Sequence, residues 1–180
     1  MLPWYNKIID RVRSTCFFIL RSEQTAMAYS YEPHYFEDFT VGQTFQSVGR
    51  TVTESDFTFH SMFTGDWTEL HSNQHYAQDE YFGERVAHGP MTFTLATGFV
   101  YRCGFLERTV VAFLGMNYMD IPAPVKMDDS ISLAMEVTET KPFSSRDDAG
   151  LVVIDTTMTN QEGTVVFEGD MKFMIKTRPE

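Results

Sequence analysis

The chain has 180 residues, of which 43% are hydrophobic and 22% charged, and a formal net charge of −11. That length closes one hydrophobic core with room for a short terminal appendage, and the acidic balance argues against a general affinity for nucleic acid or an anionic membrane surface, since both need clustered Lys and Arg. Cys16 and Cys103 are too few for a disulfide framework or a cysteine-rich zinc site, and fit a reducing, cytoplasmic compartment.

Residues 1–30 read as an N-terminal appendage, either disordered or helical. The apolar run from Cys16 to Leu20, between Arg13 and Arg21, is far shorter than a membrane span and is followed by no clear secretory cleavage site. Met27 is a second candidate start. Residues 31–180 then make up the folded domain.

Within that domain, Val41-Gly42 turns into an alternating stretch from Thr44 to Val52 that predicts a strand. Thr53, ahead of Glu54, Ser55 and Asp56, has the form of a helix cap, and the helix carries Phe57, Phe59, His60 and Phe63 before stopping near Gly65. Gly65 to His71 follows neither a helical nor a strand period and predicts an ordered loop. Asn73 then caps a short helix ending at Gly83. From Gly89 to Gly104, the residues Met91, Phe93, Leu95, Ala96, Phe99, Val100 and Cys103 predict a helix buried nearly all round. Four strand-like runs follow, Thr109 to Ile121, Ser130 to Lys141, Leu151 to Asn160 and Thr164 to Lys176, the last two forming a hairpin about Gln161-Glu162-Gly163. This order predicts an α+β domain with a sheet wrapped on a helix.

Two features bear on chemistry. Asp66 and His71 stand five residues apart behind a glycine, with Trp67 and Leu70 as apolar anchors between them, so that one loop can aim both into a cavity. A carboxylate and an imidazole sharing one water can deliver a proton and a hydroxide to the same face of a double bond. The spacing alone is also met by a capping acid and a structural histidine. The second feature, Arg85-Val-Ala-His-Gly-Pro-Met91, starts the buried helix at Gly89, where free N–H groups and the helix dipole favour a negative oxygen.

Together, Phe63-Thr-Gly-Asp-Trp-Thr-Glu-Leu-His71 and Phe82-Gly-Glu-Arg-Val-Ala-His-Gly89, with the opening Tyr35-Phe-Glu-Asp-Phe-Thr-Val-Gly42, resemble the MaoC-like, (R)-specific enoyl-CoA hydratase family. The resemblance spans roughly Tyr35 to Lys176. It implies a single hot-dog domain, an antiparallel sheet around a long central helix, assembled as a homodimer or a dimer of dimers. It further implies that Asp66 and His71 activate water for syn hydration of a trans-2-enoyl-CoA, and that the Gly89 N–H polarises the thioester carbonyl. No cofactor is implied beyond the coenzyme A of the substrate. Counting from the His-Gly pair, Thr97 stands where the family often has a supporting serine. The family loop commonly reads Gly-Asp-x-Asn-Pro-x-His, whereas Thr68-Glu69 here replaces Asn-Pro, which loses a loop-tying asparagine and gains a carboxylate expected to face solvent.

Phe63, Trp67 and Met91 are candidates to shape an acyl pocket, and His88 to orient its neighbours. His71 and His75 have the spacing of a helical metal pair, but no acid lies between them and no metal is expected. Arg50, Arg85, Arg102 and Lys126 are candidates for coenzyme A phosphates, with no Gly-rich cradle to organise them. A hot-dog thioesterase and a non-catalytic acyl-thioester-binding protein stand as the alternative readings.

Overall fold

The computed structural model describes residues 33–180, which form one compact unit; the expected appendage, residues 1–30, lies outside the described residues. The elements in chain order are a short 3-10 turn at Phe36–Asp38, β1 (Thr44–Gln46), β2 (Arg50–Thr51), α1 (Glu54–Thr64), α2 (Glu69–Ser72), α3 (Gln74–Gln78), α4 (Gly89–Arg102), β3 (Val110–Gly115), β4 (Met119–Asp120), β5 (Ser130–Pro142), β6 (Ala149–Thr159) and β7 (Val165–Lys176).

All strand pairs are antiparallel, in the order β1-β5-β6-β7-β3, with β2 beside β5 and β4 beside β7. Along β5 the buried residues Ile131, Leu133, Met135 and Val137 alternate with outward-facing ones, and β7 continues the same face with Met171, Phe173 and Ile175. That face meets Met91, Ala96, Phe99 and Val100 of α4 in one core. The expected α+β architecture, an antiparallel sheet packed on the long helix, is the one observed.

Several boundaries differ from the sequence expectation. The strand predicted from Thr44 to Val52 is two short strands, interrupted where Gly49 runs so close to the β5 backbone that a Cβ would lie 3.3 Å from the Ile131 carbonyl oxygen. The strand predicted from Thr109 to Ile121 is likewise split into β3 and β4. Buried Asp170 accepts from Asn117 N (2.6 Å) and Tyr118 N (3.0 Å), which bends the chain between them. His71 sits on the single turn α2 rather than in an irregular loop, and the helix capped by Asn73 ends at Gln78, not Gly83. Finally, α4 is not buried all round: Pro90, Thr94, Gly98 and Tyr101 form an exposed stripe at helical spacing. Among the described residues, no helix is long and apolar enough to cross a membrane.

The 3-10 turn is seated by its aromatic ring. Phe36 lies flat over Gly150 of β6, where a Cβ would overlap the ring. Gly150→Ala is expected to destabilise the fold by about 1–3 kcal/mol in urea unfolding, and most of that penalty is expected to disappear in a Phe36→Ala background. Equal penalties in both backgrounds would show that the ring is not the obstacle.

Candidate active site

The site is assembled from α1, the turn after it, α2 and the first residue pair of α4. Thr53 caps α1, its N–H donating to Asp56 Oδ2 (2.8 Å), and Asp56 also pairs with Arg50 of β2, which fixes the helix start to the sheet. The helix turns Phe57 and Ser61 fully inward, with His60 half-buried on the same side. Gly65 ends it at φ 78°, donating its N–H to Ser61 O (2.8 Å). Only glycine takes that left-handed conformation without cost, and it places Asp66 at the head of the connection to α2.

Asp66 is half-buried, and its Oδ1 accepts from the Thr68 hydroxyl (2.6 Å) and the Thr68 N–H (3.0 Å). These two bonds hold its carboxyl below the usual carboxylate range, hydroxyl first. Thr68, one of the two residues that depart from the family loop, thus ties the carboxylate within the turn. Glu69 faces solvent, as expected, and accepts from Asn73 Nδ2 at 2.8 Å.

His71 Nδ1 lies 2.7 Å from Val86 O. A carbonyl oxygen only accepts, so Nδ1 carries the proton and Nε2 of the neutral ring is left with a free lone pair. His88, at the N-cap of α4, is fully buried. Its Nε2 lies 3.1 Å from Asp66 O and 3.3 Å from Ser61 Oγ, so by the same reasoning this ring is protonated at Nε2. Its Nδ1 is buried without a partner among the described residues. Burial pushes the His88 pKa down and the neighbouring His71 and His60 add to this, outweighing the Asp66 carbonyl and carboxylate. His88 is accordingly a neutral ring at neutral pH.

The three imidazoles form a column. The His71 and His88 centroids are 3.9 Å apart with planes at 30°, and those of His60 and His88 are 4.6 Å apart at 46°. Beside the column, Gly89 opens α4 with an N–H that has no acceptor within the helix. A Cβ at Gly89 would come within 3.3 Å of Ile121 Cδ1.

One donor atom each from Asp66, His71 and His88 can be chosen so that all lie within 4.8 Å of one another. In each of the two rings one nitrogen donates to a backbone carbonyl, which leaves His71 Nε2 and His88 Nδ1 as the ring atoms able to accept. His75, set aside in the sequence as a metal partner of His71, is not part of this cluster.

Of the pocket candidates, Phe63 and Met91 line a cavity of about 590 Å³ between α1 and α4, together with Phe59, His60, Pro90 and Leu95. Trp67 is exposed and lies outside that lining. The Thr97 hydroxyl donates to Thr94 O (2.8 Å) within its own helix. Among the proposed phosphate contacts, Arg50, Arg85 and Lys126 are each paired to a carboxylate, Asp56, Glu54 and Glu84 respectively. Arg102 is exposed and has no such partner among the described residues. Sequence reasoning missed His60. The available signal was its place beside Phe57 and Ser61 on the inward stripe of α1, six residues before Asp66.

Residues 38–159 match the MaoC like domain model, and the chain belongs to that family. It is 32% identical over 149 residues to an (R)-specific enoyl-CoA hydratase of Rhodospirillum rubrum, covering 81% of this chain and 94% of that one. Among solved structures it is similar to a monoamine oxidase regulatory protein from Archaeoglobus, at 28% identity and a TM-score of 0.76, with 83% of this chain and 99% of that one covered. It also superposes on a Mycobacterium tuberculosis protein with a double hotdog fold, at 19% identity and a TM-score of 0.72, covering 81% of this chain and 45% of that one. The fold is the hot dog.

The two opposite tautomers are directly measurable. With nitrogen-15-labelled imidazoles, the neutral form of His71 is expected to show a protonated Nδ1 and a bare Nε2, and the neutral form of His88 the reverse. A protonated Nε2 on a neutral His71 would contradict the hydrogen bonding described.

Proposed function

We propose that the protein adds water reversibly to a trans-2-enoyl-CoA, giving an (R)-3-hydroxyacyl-CoA. The observation that carries this reading is the bare Nε2 of His71, fixed by the Val86 carbonyl beside the Asp66 carboxylate and next to the free N–H at the start of α4. The (R)-specific enoyl-CoA hydratase among the relatives supports it.

In the proposed step, a water held between Asp66 and His71 gives one proton to His71 Nε2 as its oxygen bonds to the β-carbon. The C=C electron pair moves toward the thioester, whose oxygen becomes an enolate accepting from the Gly89 N–H at the positive end of α4. The enolate collapses as the α-carbon takes the proton from His71. Oxygen and hydrogen are delivered from the same side, which is syn addition. Every atom of the water ends in the product, so the step needs no oxidant or reductant. Asp66, held ionised by Thr68, accepts a hydrogen bond from the water's second O–H, which stays on the product hydroxyl, and orients the lone pair that attacks.

The acyl group is proposed to reach toward the cavity bounded by Phe63 and Met91. Asp66→Asn and His71→Gln are each expected to lower kcat by at least about 100-fold while the chain stays folded. The assay is the change in enoyl-thioester absorbance, with product configuration determined. Release of free thiol instead, read with a thiol-reactive dye, would assign thioester cleavage, and full activity in both variants would remove the pair from catalysis.

We further propose that two copies pair through the open edge of β3. Val111, Phe113 and Leu114 are 45%, 41% and 42% exposed on a strand with β7 on one side and, among the described residues, no strand on the other, and the exposed stripe of α4 lies on the same unit. Such an edge is ordinarily covered in a stable protein. Light scattering is expected to give twice the chain mass for the native protein and the single mass for Phe113→Asp. A native monomer would refute the pairing.

A further inference from the structure

Three of the chain's five histidines, His60, His71 and His88, are gathered in one column, and only His71 has a part in the proposed proton transfer. The middle ring is restrained unevenly. His88 is held in its plane through Nε2 alone, by Asp66 O and Ser61 Oγ, while its Nδ1 has no partner. A ring pinned at one edge can tilt about that edge unless both of its faces are packed. His71 packs against the ring at 3.9 Å with planes at 30°, and His60, carried by α1, packs against it at 4.6 Å with planes at 46°.

Tilting would have two consequences. The Asp66 carbonyl would lose its donor, freeing the turn that holds the carboxylate, and His71 would lose the flat surface that sets the direction of its Nε2. No hydrogen bond to either ring nitrogen of His60 is found among the described residues, so geometry leaves its flat face as its contribution. The other side of His60 borders the cavity with Phe59, Phe63 and Met91.

We propose that His60 is a positioning residue of this site, an imidazole whose face clamps His88 against His71 and thereby holds Asp66 and His71 in register for reaction. The proposal rests on the hydratase reading for its catalytic consequence, but the clamp itself is a structural claim that can be tested without activity. Shape rather than charge does the work: burial pushes the His60 pKa down, with His71 adding to this against the pull of Asp66, so the ring is neutral at neutral pH. A phenyl ring should therefore serve where an alkyl group fails.

The experiment compares His60→Ala and His60→Phe in the full chain, with His60→Leu as a bulky but non-planar control if the alanine variant does not fold. With an enoyl-CoA substrate, His60→Ala is expected to lose about tenfold in kcat with KM within about twofold, since small displacements of reacting groups act on the chemical step. His60→Phe is expected to restore kcat to within about threefold of the native chain, a level set by position and not by proton transfer. In parallel, the Nδ1–H signal of His71 is expected to stay sharp in the native chain and in His60→Phe, and to broaden in His60→Ala or His60→Leu. A phenylalanine variant as impaired as the alanine one, or a native kcat and sharp signal in the alanine variant, would overturn the clamp. If the native chain turns over no enoyl thioester, the hydratase reading falls while the imidazole signal still decides the clamp.

Discussion

Two reciprocal hydrogen bonds hold the site together. His71, on the segment after α1, donates to the carbonyl of Val86, three residues before α4 begins. His88, at the start of α4, donates to the carbonyl of Asp66 on that same segment. Each bond crosses between two stretches of chain that no shared strand or helix joins, and leaving a buried partner of this kind unpaired costs about 1–3 kcal/mol. The same pair sets the chemistry. Donation through Nδ1 on one ring and Nε2 on the other leaves His71 with a lone pair at Nε2 and buries the spare nitrogen of His88 where no water reaches it.

What was legible in the sequence was what local periodicity encodes. Thr53 and Gly65 bracket α1 because a capping hydroxyl and a left-handed glycine are local requirements, and the helix from Gly89 and the hairpin β6-β7 follow from periods of 3.6 and 2. The failures lie where distant residues decide. Nothing near Asn117 announces that Asp170, more than fifty positions away, will bend the chain there. The exposed stripe of α4 escaped because Thr94, Gly98 and Tyr101 sit among apolar neighbours and no one of them is charged. Asp66 and His71 stood out by motif. His60 did not, because a histidine among Phe57, Phe59 and Phe63 reads as part of an apolar helix until the fold puts His88 beside it.

The acidity of the chain has little to do with the site. Asp56, Glu54 and Glu84 are spent on Arg50, Arg85 and Lys126, which also removes three of the four basic residues that might have met phosphates. Around the column the charges that matter are few: Asp66, kept ionised by Thr68, and three imidazoles. The hydroxyl and N–H of Thr68 both donate to Oδ1, so the residue that departs from the common loop itself restrains the carboxylate.

The column also limits how many protons the site can hold. Two unit charges 4 Å apart repel by about 4 kcal/mol at an effective dielectric of 20, so rings spaced 3.9 Å and 4.6 Å apart cannot all be imidazolium. Burial removes His88 from contention and weighs against His60. In the proposed addition the proton taken from water goes to His71, whose Nε2 is not committed to a carbonyl. His71 then returns that proton to the α-carbon, on the face from which the water oxygen arrived. That is the requirement for adding the two parts of one water molecule to the same face of a double bond.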